Sequence, residues 1–225
     1  RETSRAQVGQ MVGCNGYRQP SLYAKTASTV DVMSGGRLLA GLGAGWYEQE
    51  WKAYGYEWTD IPTRMRRFRE AVEIVHQMWT EQEPTYSGKQ YSIDKPINLP
   101  MSAAPGRKVP LWIGGGGEKK TLKYVARHAD IWHTFATGDE LTHKIDVLRR
   151  HCDTENRDFS EIEISVGAGG RGRDGRTPEP PEVEGQPLLD AGATLFTMGV
   201  TGPDYDLSNL EPWLKWRDQV NADRG

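Results

Sequence analysis

Three glycines alternate at Gly41, Gly43 and Gly45, and Trp46, Tyr47 and Glu48 follow without a break. On an extended strand every second residue shares a face, so these glycines would strip one face of side chains. A flat ligand can then lie against bare backbone. The same spacing also suits a sheet packed too tightly for side chains. Trp46 and Tyr47 would stand just past the strand's carboxyl end, where α/β proteins place their ligands. Glu48 is the nearest ionisable side chain and the candidate acid or base. The spacing is not that of a dinucleotide fingerprint, which needs Gly-x-Gly-x-x-Gly with a helix opening inside it.

A second chemical signal lies at Gly114, Gly115, Gly116 and Gly117, between the apolar run Val109–Ile113 and a helical pattern through Leu122, Val125 and Ala126. Four glycines at a strand-to-helix turn leave backbone amides free to face an anion, and the helix N-terminus adds positive dipole. Lys119 and Lys120 strengthen that field. His133 falls near the carboxyl end of the next strand, where it could position a substrate, carry a proton or simply pack. His76 and Cys152 sit on or beside apolar stripes and read as structural. Nothing has metal-ligand spacing, so no metal is expected, and no nucleophile elbow, P-loop or Cys-x-x-Cys is present.

These groups need elements to hold them. Ala6–Val12, Arg37–Leu42, Val109–Ile113, Ala129–Thr134, Ile162–Val166 and Ala191–Val200 read as strands. Helices are expected over Pro20–Met33, with Tyr23, Ala27, Val30 and Met33 inward; from Ile61, with Met65, Phe68, Val72, Val75 and Trp79 inward; over Asp139–Asp153; and over Leu207–Val220, with Leu210, Trp213, Leu214 and Arg217 in register. Trp46–Asp60 reads as a long loop, Thr85–Tyr91 as a hairpin turning at Ser87-Gly88, and Gly167–Glu184 as a mobile loop. Strands alternating with helices predict parallel βαβ units.

Bulk properties narrow the class. The 225 residues suit a single α/β domain over 1–225, and 26 glycines bring an apolar content of 36% near the globular norm. A net charge of −3 leaves no nucleic-acid footprint. No apolar run is long enough to span a membrane, no signal peptide is visible, and two cysteines, Cys14 and Cys152, do not make a disulfide scaffold. A cytoplasmic protein with a small-molecule substrate is expected.

The run Ser34-Gly-Gly-Arg, then Gly41-Leu-Gly-Ala-Gly-Trp-Tyr-Glu48, then Ala53-Tyr-Gly resembles the bacterial-luciferase-like superfamily, and within it the oxidoreductases that use coenzyme F420. The resemblance implies a (β/α)8 TIM barrel. Six strand candidates against eight, and a first residue other than Met, give the expectation that the first two βα units are lacking. Open sheet edges would then favour association, including a homodimer. The resemblance also implies that Gln10, Met11, Val12 and Gly13 form a bulge behind the cofactor ring, sometimes through a cis peptide. It implies that Gly43, Gly45 and Trp46 adjoin the ring, and that Gly114–Gly117 with Lys119 take its phosphate. The implied activity is hydride transfer between F420 and a small organic substrate. FMN, with monooxygenase chemistry, is the alternative, as is an inactive fragment of such a barrel. Where sugar-phosphate dehydrogenases of this superfamily carry an acidic Glu, this chain has Ala44. A basic exit for the anionic tail of F420 is expected from Lys119, Lys120, Lys123 and Arg18.

Overall fold

The computed structural model describes residues 3–169, 179–200 and 202–224. In chain order it has strands β1 (Val8–Gly9) and β2 (Gly13–Cys14), helix α1 (Pro20–Ser34), β3 (Leu38–Gly43), α2 (Glu48–Ala53), α3 (Ile61–Thr80), the hairpin β4 (Thr85–Ser87) and β5 (Ser92–Asp94), β6 (Leu111–Gly114), α4 (Thr121–His128), β7 (Ile131–Thr134), α5 (Gly138–Glu155), β8 (Glu163–Gly167), α6 (Pro181–Asp190), β9 (Leu195–Thr197) and α7 (Leu210–Arg224).

Apart from the β4–β5 hairpin, the strands form one parallel sheet in the order β1, β3, β6, β7, β8, β9. β2 also pairs with β3, further along it, with Gly13 opposite Leu42 where β1 has Val8 opposite Leu38. So β1 and β2 are halves of one strand, interrupted at Gln10–Val12. The expected strand Ala6–Val12 is thus split, and Gly13–Cys14, read as loop, belongs to it.

Sequence neighbours are sheet neighbours throughout, and the order never reverses. Consecutive long helices also touch one another, α1 to α3 to α4 to α5 to α6 to α7. One layer of helices therefore covers one face, as in an arc of a (β/α) barrel, whereas a doubly wound sheet puts helices on both faces. Leu38, Ala40, Leu42, Leu111, Ile113, Trp132, Ile162, Ile164 and Val166 point into the core under that layer. Their alternates, including Gly41, Gly43, Trp112, Gly114, His133 and Ser165, take the other face.

α3 is the best-specified helix. Asp60 caps it by accepting from the Thr63 amide at 2.8 Å, and Pro62 fits its first turn. Phe68, Val72, Ile74, Val75 and Met78 are buried, each worth about 1.5–3 kcal/mol of transfer free energy. The stripe is broader than its apolar residues. Glu70 is wholly buried, and its carboxylate accepts from the amides of Lys89, Gln90 and Tyr91 at 3.2, 2.8 and 3.0 Å. Those amides form the β4–β5 loop, so the hairpin turns over Gly88–Tyr91, later than expected, and closes at Asp94.

Other expectations need correction. Trp46–Asp60 is not all loop, because α2 forms within it around the buried Trp51. In α1 the buried face is Ala24, Ala27, Ser28 and Asp31, while Val30 and Met33 are exposed. The reason is electrostatic: Arg107 bonds Asp31 through Nε and Nη2 at 3.1 and 3.0 Å, and the Ala103 amide adds a third bond, so the carboxylate goes inward. In α7 the buried residues are Trp213 and Trp216, packed on Phe196, while Leu214 is exposed and Arg217 pairs with Asp218. The loop expected over Gly167–Glu184 gives way to α6 from Pro181, and its stretch 170–178 lies outside the described residues.

Candidate cofactor and substrate site

The interruption at Gln10–Val12 is the centre of the site. The Met11–Val12 peptide is cis, a form the resemblance gives as occurring at this bulge only sometimes. Gln10 Nε2 and Tyr23 Oη both donate to the Gly41 carbonyl, at 3.0 and 2.8 Å. A Cβ on Gly41 would meet the Gln10 carbonyl oxygen at 1.8 Å, so the bulge lies directly on this glycine. A Cβ on Gly43 or Gly114 would meet Val12 Cγ2, at 2.8 and 2.9 Å. The face bared by the glycines is therefore filled by the chain's own Val12. Gly43 seats the Val12 side chain.

Gly45 is placed differently. Its φ is +81°, and a Cβ there would meet Cys14 Sγ at 2.5 Å and the Trp51 indole at 2.8 Å. It answers to packing and backbone conformation, not to the bare face. Trp46 is 76% exposed and tilts against Tyr47, with ring centroids 5.4 Å apart. Met11 is also exposed. Glu48 opens α2 in an exposed ion pair with Lys52 at 2.6 Å, and nothing places it over the bare face. The better-connected acid is Glu50, which accepts from Tyr17 Oη at 2.6 Å. Burial first, then the Glu50 bond, pushes the Tyr17 hydroxyl up. Glu50 sits two residues beyond the motif's last residue, and only its neighbourhood marked it in the sequence.

The glycine turn divides by role. Gly114 ends β6. Gly115 has φ +129°, and its amide is spent on the His133 carbonyl at 3.1 Å. Among the described residues, the amides of Gly116, Gly117, Glu118 and Lys119 donate to no protein acceptor. Consecutive unpartnered amides before a helix are groups that can donate to an anion. A Cβ on Gly117 would crowd Thr121 Oγ1 at 2.9 Å. The turn is held from outside by α5. Lys144 Nζ donates to the Gly116 carbonyl at 3.0 Å and lies 3.4 Å from Glu118, and His151 Nε2 meets the Glu118 carbonyl at 2.8 Å. A hydrogen bond from His143 holds the Glu118 carboxyl below its usual range, with Lys144 adding to it. Sequence reasoning missed this clamp, since nothing in the α5 pattern marks Lys144 or His151.

Lys119 and Lys120 are exposed beside the turn, and Lys123 lies 3.8 Å from Glu155. Arg18 does not join them. It lines a cavity of about 330 Å³ with Val8, Gln10, Tyr23 and Leu39, on the flank of the sheet formed by β1 and α1. That cavity is away from the glycine turn, and the chemistry-bearing residues do not cluster in it.

His133 is 3% exposed, and its Nδ1 lies 2.9 Å from Ser165 Oγ. Burial lowers its pKa to about 4, so the imidazole is neutral near pH 7. His76 packs against the imidazole of His128, with ring centroids 4.9 Å apart, and His128 meets Glu73. No metal-holding group of His, Cys, Asp and Glu occurs among the described residues. No helix there is long and apolar enough to cross a membrane.

A parallel sheet in sequential order under one helix layer defines an arc of a (β/α) barrel; a sequence model supplies the family, that of the luciferase-like proteins. The sequence model of that family, described as luciferase-like monooxygenase, matches residues 1–169, and the chain belongs to it. An F420-dependent glucose-6-phosphate dehydrogenase of Kineococcus radiotolerans is 31% identical over 169 residues, covering 73% of this chain and 49% of that protein. An uncharacterized protein of Mycobacterium tuberculosis is 28% identical over 158 residues, or 69% of this chain and 54% of that one. The chain thus spans about half the length of these relatives. An F420-dependent secondary alcohol dehydrogenase, solved with an F420-acetone adduct, superposes with a TM-score of 0.75 at 20% identity, over 95% of this chain and 79% of that one.

Proposed function

We propose that this chain carries the cofactor-binding part of an oxidoreductase that uses coenzyme F420 on a small organic substrate. One observation carries the reading. Val12, seated on Gly43 and Gly114, forms a wall within two residues of the four unpartnered amides that begin at Gly116. A wall for a flat ring beside amides open to an anion is what a ring-and-phosphate cofactor requires. The F420-dependent relatives support the same choice.

When bound, the deazaflavin supplies the hydride chemistry. Val12 and the bulge would back the ring, the amides of Gly116–Lys119 would hold the phosphate, and exposed Lys119 and Lys120 would face the anionic tail. Ala44 is packed against the core and offers no proton, so this chain does not reproduce the acid of the sugar-phosphate enzymes at that position.

The test is a set of binding isotherms with F420, with the same deazaflavin stripped of its phosphate and tail, and with FMN. F420 is expected to bind most tightly. Gly117→Val should weaken F420 at least tenfold and leave the stripped deazaflavin unchanged. Tighter binding of FMN would move the chain to the monooxygenase chemistry of its family, and binding of neither ring would overturn the assignment.

A further inference from the structure

We propose that His133 is the hydrogen-bonding partner of an uncharged substrate oxygen, and that Ser165 is the positioning residue that decides which imidazole nitrogen meets it. This rests on the F420 reading above, because it places the substrate beside the ring wall.

The placement comes from strand register. Gly114 pairs with His133, and His133 with Ser165, across β6, β7 and β8. All three lie on the face away from the helices. Val12 covers Gly114, so His133 stands one strand beyond the wall, in the same layer. Ser165 is 0% exposed, and its hydroxyl holds Nδ1 at 2.9 Å. The other nitrogen, Nε2, is buried and has no partner among the described residues. The ring is enclosed by Phe135, edge-on at 4.8 Å, and by Trp112 at 6.2 Å. Trp112 Nε1 is a second buried atom without a partner.

Leaving a polar atom buried and unbonded costs about 1–3 kcal/mol; of the eight such side-chain atoms among the described residues, those of Trp112 and His133 are the two on sheet strands. Two on adjacent strands of one face point to a ligand that completes them. An indole N–H can only donate, so this face lacks an acceptor. Burial is the one cause lowering the His133 pKa, and no charged side chain contributes. A neutral imidazole and an indole suit a hydroxyl or carbonyl oxygen better than a carboxylate or phosphate, which would call for a cation. Phe135 is 80% exposed and can turn aside. The substrate class is therefore an alcohol or carbonyl compound.

A serine hydroxyl can donate to Nδ1 or accept from it, and its choice fixes the state of Nε2. The experiment is long-range proton–nitrogen spectroscopy on the full chain with labelled imidazoles, which reads the tautomer directly. Free protein at pH 7 should show His133 in a single neutral tautomer. Ser165→Ala should give a mixture, and Ser165→Thr should restore the single form. With F420 bound, acetone should shift the Nε2 resonance and acetate should not. In Ser165→Ala the acetone dissociation constant should rise at least tenfold while that of F420 stays within twofold.

An unmoved Nε2 in an F420-loaded sample overturns this inference alone, as does a stronger response to acetate. An unchanged tautomer in Ser165→Ala overturns the role of Ser165. Absence of F420 binding overturns both this inference and the function it rests on. Should Ser165→Ala fail to fold, the wild-type titration and Ser165→Thr still decide.

Discussion

At the scale of single residues, three glycines of one motif do three separate jobs. Gly41 lies under the bulge, Gly43 seats Val12, and Gly45 meets a positive φ and the Trp51 ring. Substitutions should separate them. Gly43→Val drives a methyl into Val12, so it should cost about 1–3 kcal/mol in chemical denaturation and weaken F420 binding at least tenfold. Gly45→Ala should cost a similar amount of stability through its backbone conformation and leave binding nearly unchanged. His133 adds a pH dependence. Its folded pKa is about 4 against 6.5 for the free side chain. Between those values the unfolded chain binds a proton that the folded chain refuses. Stability should therefore fall as pH drops from 6.5 to 4, by about 3 kcal/mol in full, and His133→Phe should flatten that slope. The glycine motif itself was legible, because spacing alone bares a face. Its occupant was not, because Val12 reaches that face from another strand.

Among the elements, two are held by residues that look like ordinary surface charges in the sequence. Glu70 should be the anchor of the β4–β5 hairpin. Glu70→Ala leaves three amides without an acceptor and should cost about 3 kcal/mol or more. Hydrogen exchange would locate the loss, with protection falling first at Lys89, Gln90 and Tyr91. Lys144 should play the matching part for the glycine turn. Lys144→Met should weaken F420 about tenfold and spare the stripped deazaflavin, with thermal stability little changed; equal losses for both ligands would count against the clamp. Neither role was legible. Periodicity assigns a charged residue to the solvent face unless something displaces water from it, and the displacing groups are backbone amides and a carbonyl, which leave no mark in sequence. The helices α1, α3, α4, α5 and α7 were legible, because apolar spacing is local, whereas α2 lay within a stretch read as loop and α6 began in one. A helix's inward face was not legible when a buried charge, as at Asp31, overrode the apolar count.

At the scale of the whole molecule, strand order carries the fold. Alternating strands and helices implied a parallel sheet, and the sequential order with one helix layer follows the tendency of consecutive units to lie side by side. One long-range tie matters to this architecture. Asp31 on α1 meets Arg107 ahead of β6 across the intervening α3 and hairpin, with the carboxylate 0% exposed. Removing the cation strands a buried charge, so Arg107→Met should cost about 3–5 kcal/mol. A urea transition monitored by fluorescence should stay cooperative and shift to lower denaturant. A loss under 1 kcal/mol would mean that Asp31 finds another partner. Binding of F420 should also weaken as salt is raised, since Lys119 and Lys120 are exposed and easily screened.

The seat of Val12 has a consequence for how such a protein can diversify. The wall behind the candidate ring is a knob, set into a socket cut by two glycines on neighbouring strands. A knob can be exchanged without recutting the socket. Residue 12 could pass through Ile, Leu or Thr while β3 and β6 keep their register, each version presenting a different contour to the same site. Variation at this one position would then retune the reactive surface, whereas the two glycines must persist together or the socket closes.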